Sequence, residues 1–213
     1  MTRRASRSIW TVPIAALLAA ALVGFACASA AGPGTARATF AGGCFWCMEE
    51  PFEALPGVIS VTAGYAGGAT ADRTHEKVAA GASDHAESVE IVYDPARITY
   101  ECLLDVFWHN VDPLTADGQF CDRGRQYRTA IFFHDEAQRA AAEESKRRMA
   151  ETLHAPVVTE ILAAGKFHRA EAFHQDFYKK NPIRYHEYKE GCGRDRRLRE
   201  LWGAAAGHGT EKP

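Results

Sequence analysis

The sequence has no internal repeat and no low-complexity run beyond an alanine-rich start, which argues against repeat architectures and disorder. No basic stripe runs through it. With 25 basic residues against 27 acidic ones, nucleic acid is not an expected partner. A second closely spaced cysteine pair is also missing. Cys44 and Cys47 stand three apart, whereas Cys102, Cys121 and Cys192 are isolated. Zinc needs four ligands, usually from two such pairs, so no metal or other cofactor is expected. No shift of composition marks a second domain, and 213 residues suit one well-buried domain better than two.

What is there begins with an export signal. Arg3, Arg4 and Arg7 form a basic start, an apolar run from Ile9 to Cys27 follows, and Ala28-Ser29-Ala30 offers a small-x-small cleavage site. The run approaches the length of a membrane span, but Pro13 and the cleavage site favour removal, leaving no stable membrane insertion. Cys27 after "GFA" is a candidate lipid tether, although Gly24 sits where such signals prefer an aliphatic residue. Thr2-Arg3-Arg4 weakly resembles a twin-arginine start. Cleavage after residue 30 would remove three basic residues and no acid, leaving 22 against 27, a formal charge of −5. The expected location is exported and periplasmic, an oxidising compartment where spare thiols stay reduced only if something reduces them. Five cysteines would remain, and an odd number argues against a purely structural disulfide framework.

Residues 31–38 read as a linker, 39–203 as one domain and 204–213 as a flexible tail. "ATFAGG" suits a strand running into a helix over "CFWCMEEPFEAL", and "GVISVTAGYAGG" a strand closed by a glycine turn. Residues 69–86 read as a loop. In "ESVEIVY", Glu87, Val89, Ile91 and Tyr93 share one face. A helix over Thr99–His109 aligns Leu103, Leu104, Phe107 and Trp108. A polar loop leads to a strand over Tyr127–Phe133. A helix then starts at Asp135 with Gln138 as its capping-box partner. "VVTEIL" reads as a strand, "RAEAFHQDFYKK" as a helix, and Pro182–Trp202 as mostly irregular with a helical piece near Asp195. The fold class is α/β: an α+β two-layer sandwich in a single domain, with a mixed central sheet flanked by helices and an irregular C-terminal tail.

The stretch "GGCFWCMEE" carries the chemistry. A helix start lowers a thiol's pKa through unpaired N–H groups, and Cys44 stands where a strand turns into a helix. The glycines leave room for a substrate to approach the backbone, and Phe45 and Trp46 can wall a small apolar pocket. A structural disulfide across so short a loop restrains the unfolded chain little, which leaves redox work for the pair. Glu87 lies on the inward face of its strand, where burial would keep it protonated as a general acid; the alternative is a strand's wet end. Asp122 and Tyr127 flank a glycine-containing loop and either contact a small bound group or cap the turn. Cys102 reads as a small core residue, and Cys121 as a spectator or disulfide partner. His109, His168 and His174 read as decorating helices and loops. Phe173, Phe177 and Tyr178 read as core packing at helical spacing.

From Thr39 to Trp202 the chain resembles the peptide-methionine (S)-S-oxide reductases (methionine sulfoxide reductase A), in the GCFWC subgroup. The resemblance rests on "GCFWCMEEPFEALPGVISVTAGYAGG", "DHAESVEIVYDP", "LLDVFWHNVDP", "DRGRQYRTAIF", "FHRAEAFHQDFYKKNP" and "GCGRD", in order and in rough spacing. It implies that Cys44 attacks the sulfoxide sulfur of the S epimer, releases methionine and becomes a sulfenic acid. Phe45 and Trp46 match the pocket for the substrate methyl, Glu87 the acid that protonates the oxygen, and Asp122 and Tyr127 contacts to that oxygen region. Cys47 matches the subgroup's resolving cysteine and implies a Cys44–Cys47 disulfide, with Cys192 a second candidate. His75 stands where the family often has a tyrosine that holds the oxygen. Expected partners are methionine sulfoxide, free or in oxidised proteins, and a thioredoxin-like reductant, with the chain a monomer. Two rivals are an exported thioredoxin-like disulfide oxidoreductase, which the bulky Phe45-Trp46 pair disfavours, and a non-enzymatic disulfide-held binding module.

Overall fold

The computed structural model describes residues 34–69 and 74–207; the export signal, the Cys27 tether and residues 208–213 lie outside them. The chain runs β1 (Ala36–Gly42), α1 (Phe45–Glu53), β2 (Val58–Ala66), α2 (His75–Ala79), β3 (Ala86–Tyr93), α3 (Tyr100–His109), β4 (Gly118–Gln119) and β5 (Asp122–Arg123). A 3-10 turn (Arg125–Tyr127) leads to β6 (Thr129–Phe133), α4 (Glu136–Leu153), β7 (Glu160–Ala163) and β8 (His168–Arg169), then α5 (Phe177–Lys180), α6 (Pro182–Gly191) and α7 (Arg194–Trp202). Six strands form one sheet in the order β7-β6-β1-β3-β2-β8. Only β6 and β7 pair in parallel, so the sheet is mixed, as the sequence led us to expect.

Alternation assigns the faces. Ala38 and Phe40 of β1, Val61, Ala63 and Tyr65 of β2 and Val89, Ile91 and Tyr93 of β3 point into one core, which α1, α3 and α4 cover. Phe40 stacks on Phe52, Tyr100 and Phe107 at centroid distances of 5.5, 6.1 and 5.1 Å. On the opposite face Arg37 pairs with Glu90 at 2.7 Å. Thr99 caps α3 by accepting from the Cys102 amide, and Asp135 caps α4 by accepting from that of Gln138 at 2.8 Å. The Gln138 side chain also donates to the Arg37 carbonyl at 2.7 Å, tying α4 to β1. Trp108 donates to Ser145 at 3.1 Å and joins α3 to α4.

Four segments differ from the sequence reading. The first is the linker expected over 31–38: β1 begins inside it, at Ala36, because Ala36, Arg37 and Ala38 pair with Tyr93, Val92 and Ile91 of β3. The loop over 69–86 contains α2. The helix expected over "RAEAFHQDFYKK" shrinks to α5, because the buried Gln175 side chain hydrogen-bonds both backbone groups of Ala63 and the Ala170 carbonyl. Those bonds hold residues 170–176 against β2 and override the helical spacing. Phe173 is accordingly 61% exposed rather than core, while Phe177 is buried. The tail expected to be irregular forms α6 and α7, with Asn181-Pro182 starting a new helix where the sequence suggested a stop. Phe40→Ala should cost about 3–5 kcal/mol, the usual toll for deleting a buried phenyl ring, and denaturant unfolding would measure it.

Candidate active site

The strand-to-helix junction sets the site. Gly43 has φ +82°, and a Cβ there would lie 2.6 Å from Gln119. A Cβ on Gly42 would meet Met48 and Val111 at 2.7–2.8 Å. The room left by the two glycines is thus filled by the protein's own side chains, not held open for a substrate. The turn leaves Cys44 as the N-cap of α1, its carbonyl accepting from the Cys47 amide at 3.1 Å.

The first amide of that helix, Phe45 N–H, donates to Glu87 Oε2 at 3.1 Å. Glu87 lies opposite Tyr65 in the β2–β3 ladder and is 2% exposed, so the inward reading of its carboxyl holds. Burial pushes its pKa up to about 8, aided by the nearby Asp122 and Cys47 charges, and the Phe45 amide only partly opposes this. The carboxyl is therefore protonated at neutral pH. Because Oε2 accepts the Phe45 amide, the hydrogen-bond pattern assigns the proton to Oε1. His75 Nε2 sits 3.9 Å from that oxygen.

Cys44 and Cys47 are both free and buried, and each thiol acts on the ionisation of the other. The disulfide that the resemblance implies between them is not formed in this state. Burial raises the Cys44 thiol, the Cys47 thiol and the Glu87 charge add to the rise, and Tyr188 works against it. Cys47 is brought down to about 7, first by the Cys44 thiol and against its own burial, with Arg194 and Lys189 assisting. The pair is thus polarised, with the cations beside Cys47 drawing negative charge there. Cys121 and Cys192, separated by 71 residues, form a disulfide instead. With Asp122 they make a cluster of metal-ligand type, but its two sulfurs are bonded to each other.

Aromatic rings surround the cysteines. Phe45 is buried against Tyr65, His75 and His174, with centroids 5.9, 6.4 and 5.0 Å away. Trp46 is half-buried and stacks flat on Phe177 at 3.7 Å. Its indole N–H donates to His174 Nδ1 at 3.0 Å, which leaves the His174 proton on Nε2. His174 is buried, and burial with the neighbouring His75 lowers its pKa to about 4, so it is a neutral acceptor. Asp122 accepts from the Tyr188 hydroxyl, and burial raises its pKa. Burial and the charges of Glu87, Asp122 and Cys44 raise the Tyr127 hydroxyl too, which keeps it a donor. Cys44, Cys47, Phe45, Trp46, Glu87, Asp122 and Tyr127 thus converge, and Cys192 is held next to Asp122 through Cys121.

Sequence reasoning misses the roles of three residues at this site. His174 was read as decoration, whereas Tyr188 and Arg194 fell in the segment read as irregular. Arg194 is buried and donates to the carbonyls of Gly42 and Asn110 at 3.2 and 2.8 Å. The "GCGRD" run placed an arginine beside a cysteine, and that was the only clue.

The raised carboxyl fixes how stability responds to pH. Between its ordinary 4.5 and its folded value of about 8, the folded chain holds a proton that the unfolded chain has released. Stability therefore falls as pH rises through this window, and Glu87→Gln should flatten the fall. Denaturant unfolding at about pH 5 and about pH 8 checks this, and equal losses in both proteins would mean that Glu87 is already ionised.

Comparison with known proteins agrees with this arrangement. The sequence pattern of the family described as "Peptide methionine sulfoxide reductase" matches residues 36–206. A Bacillus licheniformis protein named "Peptide methionine sulfoxide reductase MsrA" is 49% identical over 168 residues, covering 78% of this chain and 93% of its own. The protein of the same name from Bacillus subtilis is 50% identical over 169 residues, covering 78% and 96%. Among solved structures, methionine sulfoxide reductase A of Corynebacterium diphtheriae superposes with a TM-score of 0.64 at 33% identity, over 71% of this chain and 77% of that one. Reduced Mxr1 from Saccharomyces cerevisiae gives 0.66 at 29% identity, over 70% and 87%. A pattern that spans the folded chain from β1 past α7, and relatives matched along nearly their whole length, lead to one conclusion: the chain belongs to the peptide methionine sulfoxide reductase family.

Proposed function

We propose that this enzyme reduces the S epimer of methionine sulfoxide, free or in oxidised proteins, with Cys44 as nucleophile and Glu87 as general acid. The observation that carries the reading is the buried, protonated Glu87 carboxyl, hydrogen-bonded to the amide that follows Cys44. Cys44 attacks the sulfoxide sulfur as its proton moves to the Cys47 thiolate, the member of the pair that carries the negative charge. Glu87 protonates the sulfoxide oxygen, which cannot leave as an oxide, and Tyr127 and Asp122 line the same region. Phe45 and Trp46 receive the methyl group, and His75 donates to the oxygen from its place beside Glu87. The protonated oxygen passes from the substrate sulfur to Cys44 Sγ as the bond between the two sulfurs breaks, so methionine is released and Cys44 becomes a sulfenic acid.

Cys47 then attacks the Cys44 sulfur. Its thiol proton and the sulfenic hydroxyl leave together as water, and a Cys44–Cys47 disulfide remains. A thioredoxin-type dithiol returns both cysteines to thiols; Cys192 serves as a second station for the oxidising equivalents only after its bridge to Cys121 has been reduced. Residues 1–30 direct the chain, a monomer whose catalytic domain spans 39–203, to the periplasm, where oxidised envelope proteins are the substrate pool.

Incubation with dithiothreitol and epimer-pure peptide sulfoxides tests the reading: methionine should form from the S form alone. Cys44→Ser should abolish it. With a thioredoxin-type protein in place of dithiothreitol, which would reduce the sulfenic acid directly, Cys47→Ser should release a first equivalent of methionine and then stall, which a single-turnover assay separates from steady state. Glu87→Gln should slow the chemical step by about 10²–10⁴-fold. In the unaltered enzyme, the rate of that step should decline as pH rises past about 8, because the acid loses its proton. Methionine from both epimers, or an unchanged rate in Glu87→Gln, would overturn the assignment.

A further inference from the structure

A cavity of about 320 Å³ has Cys47 in its wall, and none of Cys44, Phe45, Trp46, Glu87, Asp122 or Tyr127. Asn110 after α3, Lys189 of α6, Arg194, Asp195, Leu198 and Arg199 of α7, and the segment after α7 build the rest. Three cations face one acid. Lys189 is balanced by Glu50 at 3.3 Å and Asp195 at 3.9 Å. Arg194 is different: its acceptors are two carbonyls and the Met48 sulfur, and no carboxylate among the described residues pairs with it. Arg199 is exposed and likewise has no carboxylate partner among the described residues. A buried guanidinium without a counter-ion is costly unless an anion visits it. Its field reaches the Cys47 sulfur, the Asp122 carboxyl, which burial holds toward its neutral form, and whatever enters the cavity, and its guanidinium lies 4.5 Å from the centre of the Phe120 ring.

We infer that this cavity is a port through which a small anionic thiol, one carrying carboxylates, reaches Cys47. The volume suits a small molecule and is too small to seat a folded partner. The inference rests on Cys47 as the resolving cysteine and adds the class of molecule that recycles it. In the oxidised enzyme the incoming thiolate attacks Cys47 Sγ, the Cys44–Cys47 bond breaks, and Cys44 leaves as a thiolate and takes a proton. A second thiol attacks the small molecule's sulfur in the mixed disulfide and releases Cys47 as a thiolate, for which Arg194 is the counter-ion. Two small thiols are oxidised to their disulfide and one protein disulfide is reduced; of their two protons one ends on Cys44 and the other goes to solvent, while Cys47 stays a thiolate beside Arg194.

The test avoids sulfoxide altogether. In the Cys44→Ser chain, Cys47 is the one free thiol among the described residues. It is exposed in turn to oxidised glutathione, which is anionic, and to cystamine, which is cationic, and the mixed disulfide is mapped by peptide mass spectrometry. Each rate is divided by that for the same chain unfolded in denaturant. Glutathione should label Cys47 about tenfold faster than cystamine, and Arg199→Glu should bring the ratio to about one or below. A ratio near one in the Cys44→Ser chain, a ratio unmoved by Arg199→Glu, or labelling at another cysteine would overturn the port and leave recycling to a protein dithiol. Failure of the reductase reading would show as absent methionine in the epimer assay and would leave this ratio untouched.

Discussion

The Phe45 amide donates to Glu87 across 42 residues of sequence, joining the first turn of α1 to the inner face of β3. A buried carboxyl group needs a partner for its oxygens, and a helix's first N–H groups need acceptors, so one contact serves both needs. Because it is a single neutral donor, it anchors the group without making ionisation favourable, and desolvation decides the protonation state. A second donor, or a cation in ion-pair contact, would have left an ordinary carboxylate. The cysteine at the helix start, the aromatic that follows it and the carboxyl are thereby fixed relative to one another.

Charge is divided across this junction. Glu87 acts on the Cys44 thiol and Asp122 on that of Cys47, and both carboxyls are held toward their neutral forms by burial. Arg194 and Lys189 lie on the side of Cys47. A thiol pair placed between these poles is polarised before any substrate arrives, with the proton toward Cys44 and the charge toward Cys47. This differs from what the helix start alone suggests, since the dipole at the head of α1 favours charge on Cys44. Burial and the paired thiol outweigh that dipole.

Much of this was legible in the sequence. The alternation through Glu87, Val89, Ile91 and Tyr93 oriented β3, and the Asp135–Gln138 pair marked the head of α4, because periodicity and capping are local signals. The "CFWC" stretch and its relation to Glu87 came from resemblance, and the geometry agrees with both. Illegible were the contributions of the chain's last third. Gln175 replaces a helix with side-chain bonds to β2, which no spacing rule reveals, and His174 acquires its partner in Trp46 from 128 residues away. The disulfide between Cys121 and Cys192 is long-range in the same sense, and neither cysteine carries a local motif that names the other.

The bond from Arg194 to the Gly42 carbonyl closes a span of 152 residues. During synthesis the chain emerges from its N-terminus, so Cys44 and Glu87 are made long before Tyr188, Arg194 and the second half of the Cys121–Cys192 bridge. Contacts of such sequence separation form late in folding because loop closure must precede them. A partly made or C-terminally truncated chain therefore carries its thiol pair without the cation beside Cys47 and without the Tyr188 hydroxyl beside Asp122. The redox pair comes under the field described here only when the whole domain is present, so that reactivity is withheld from the nascent polypeptide.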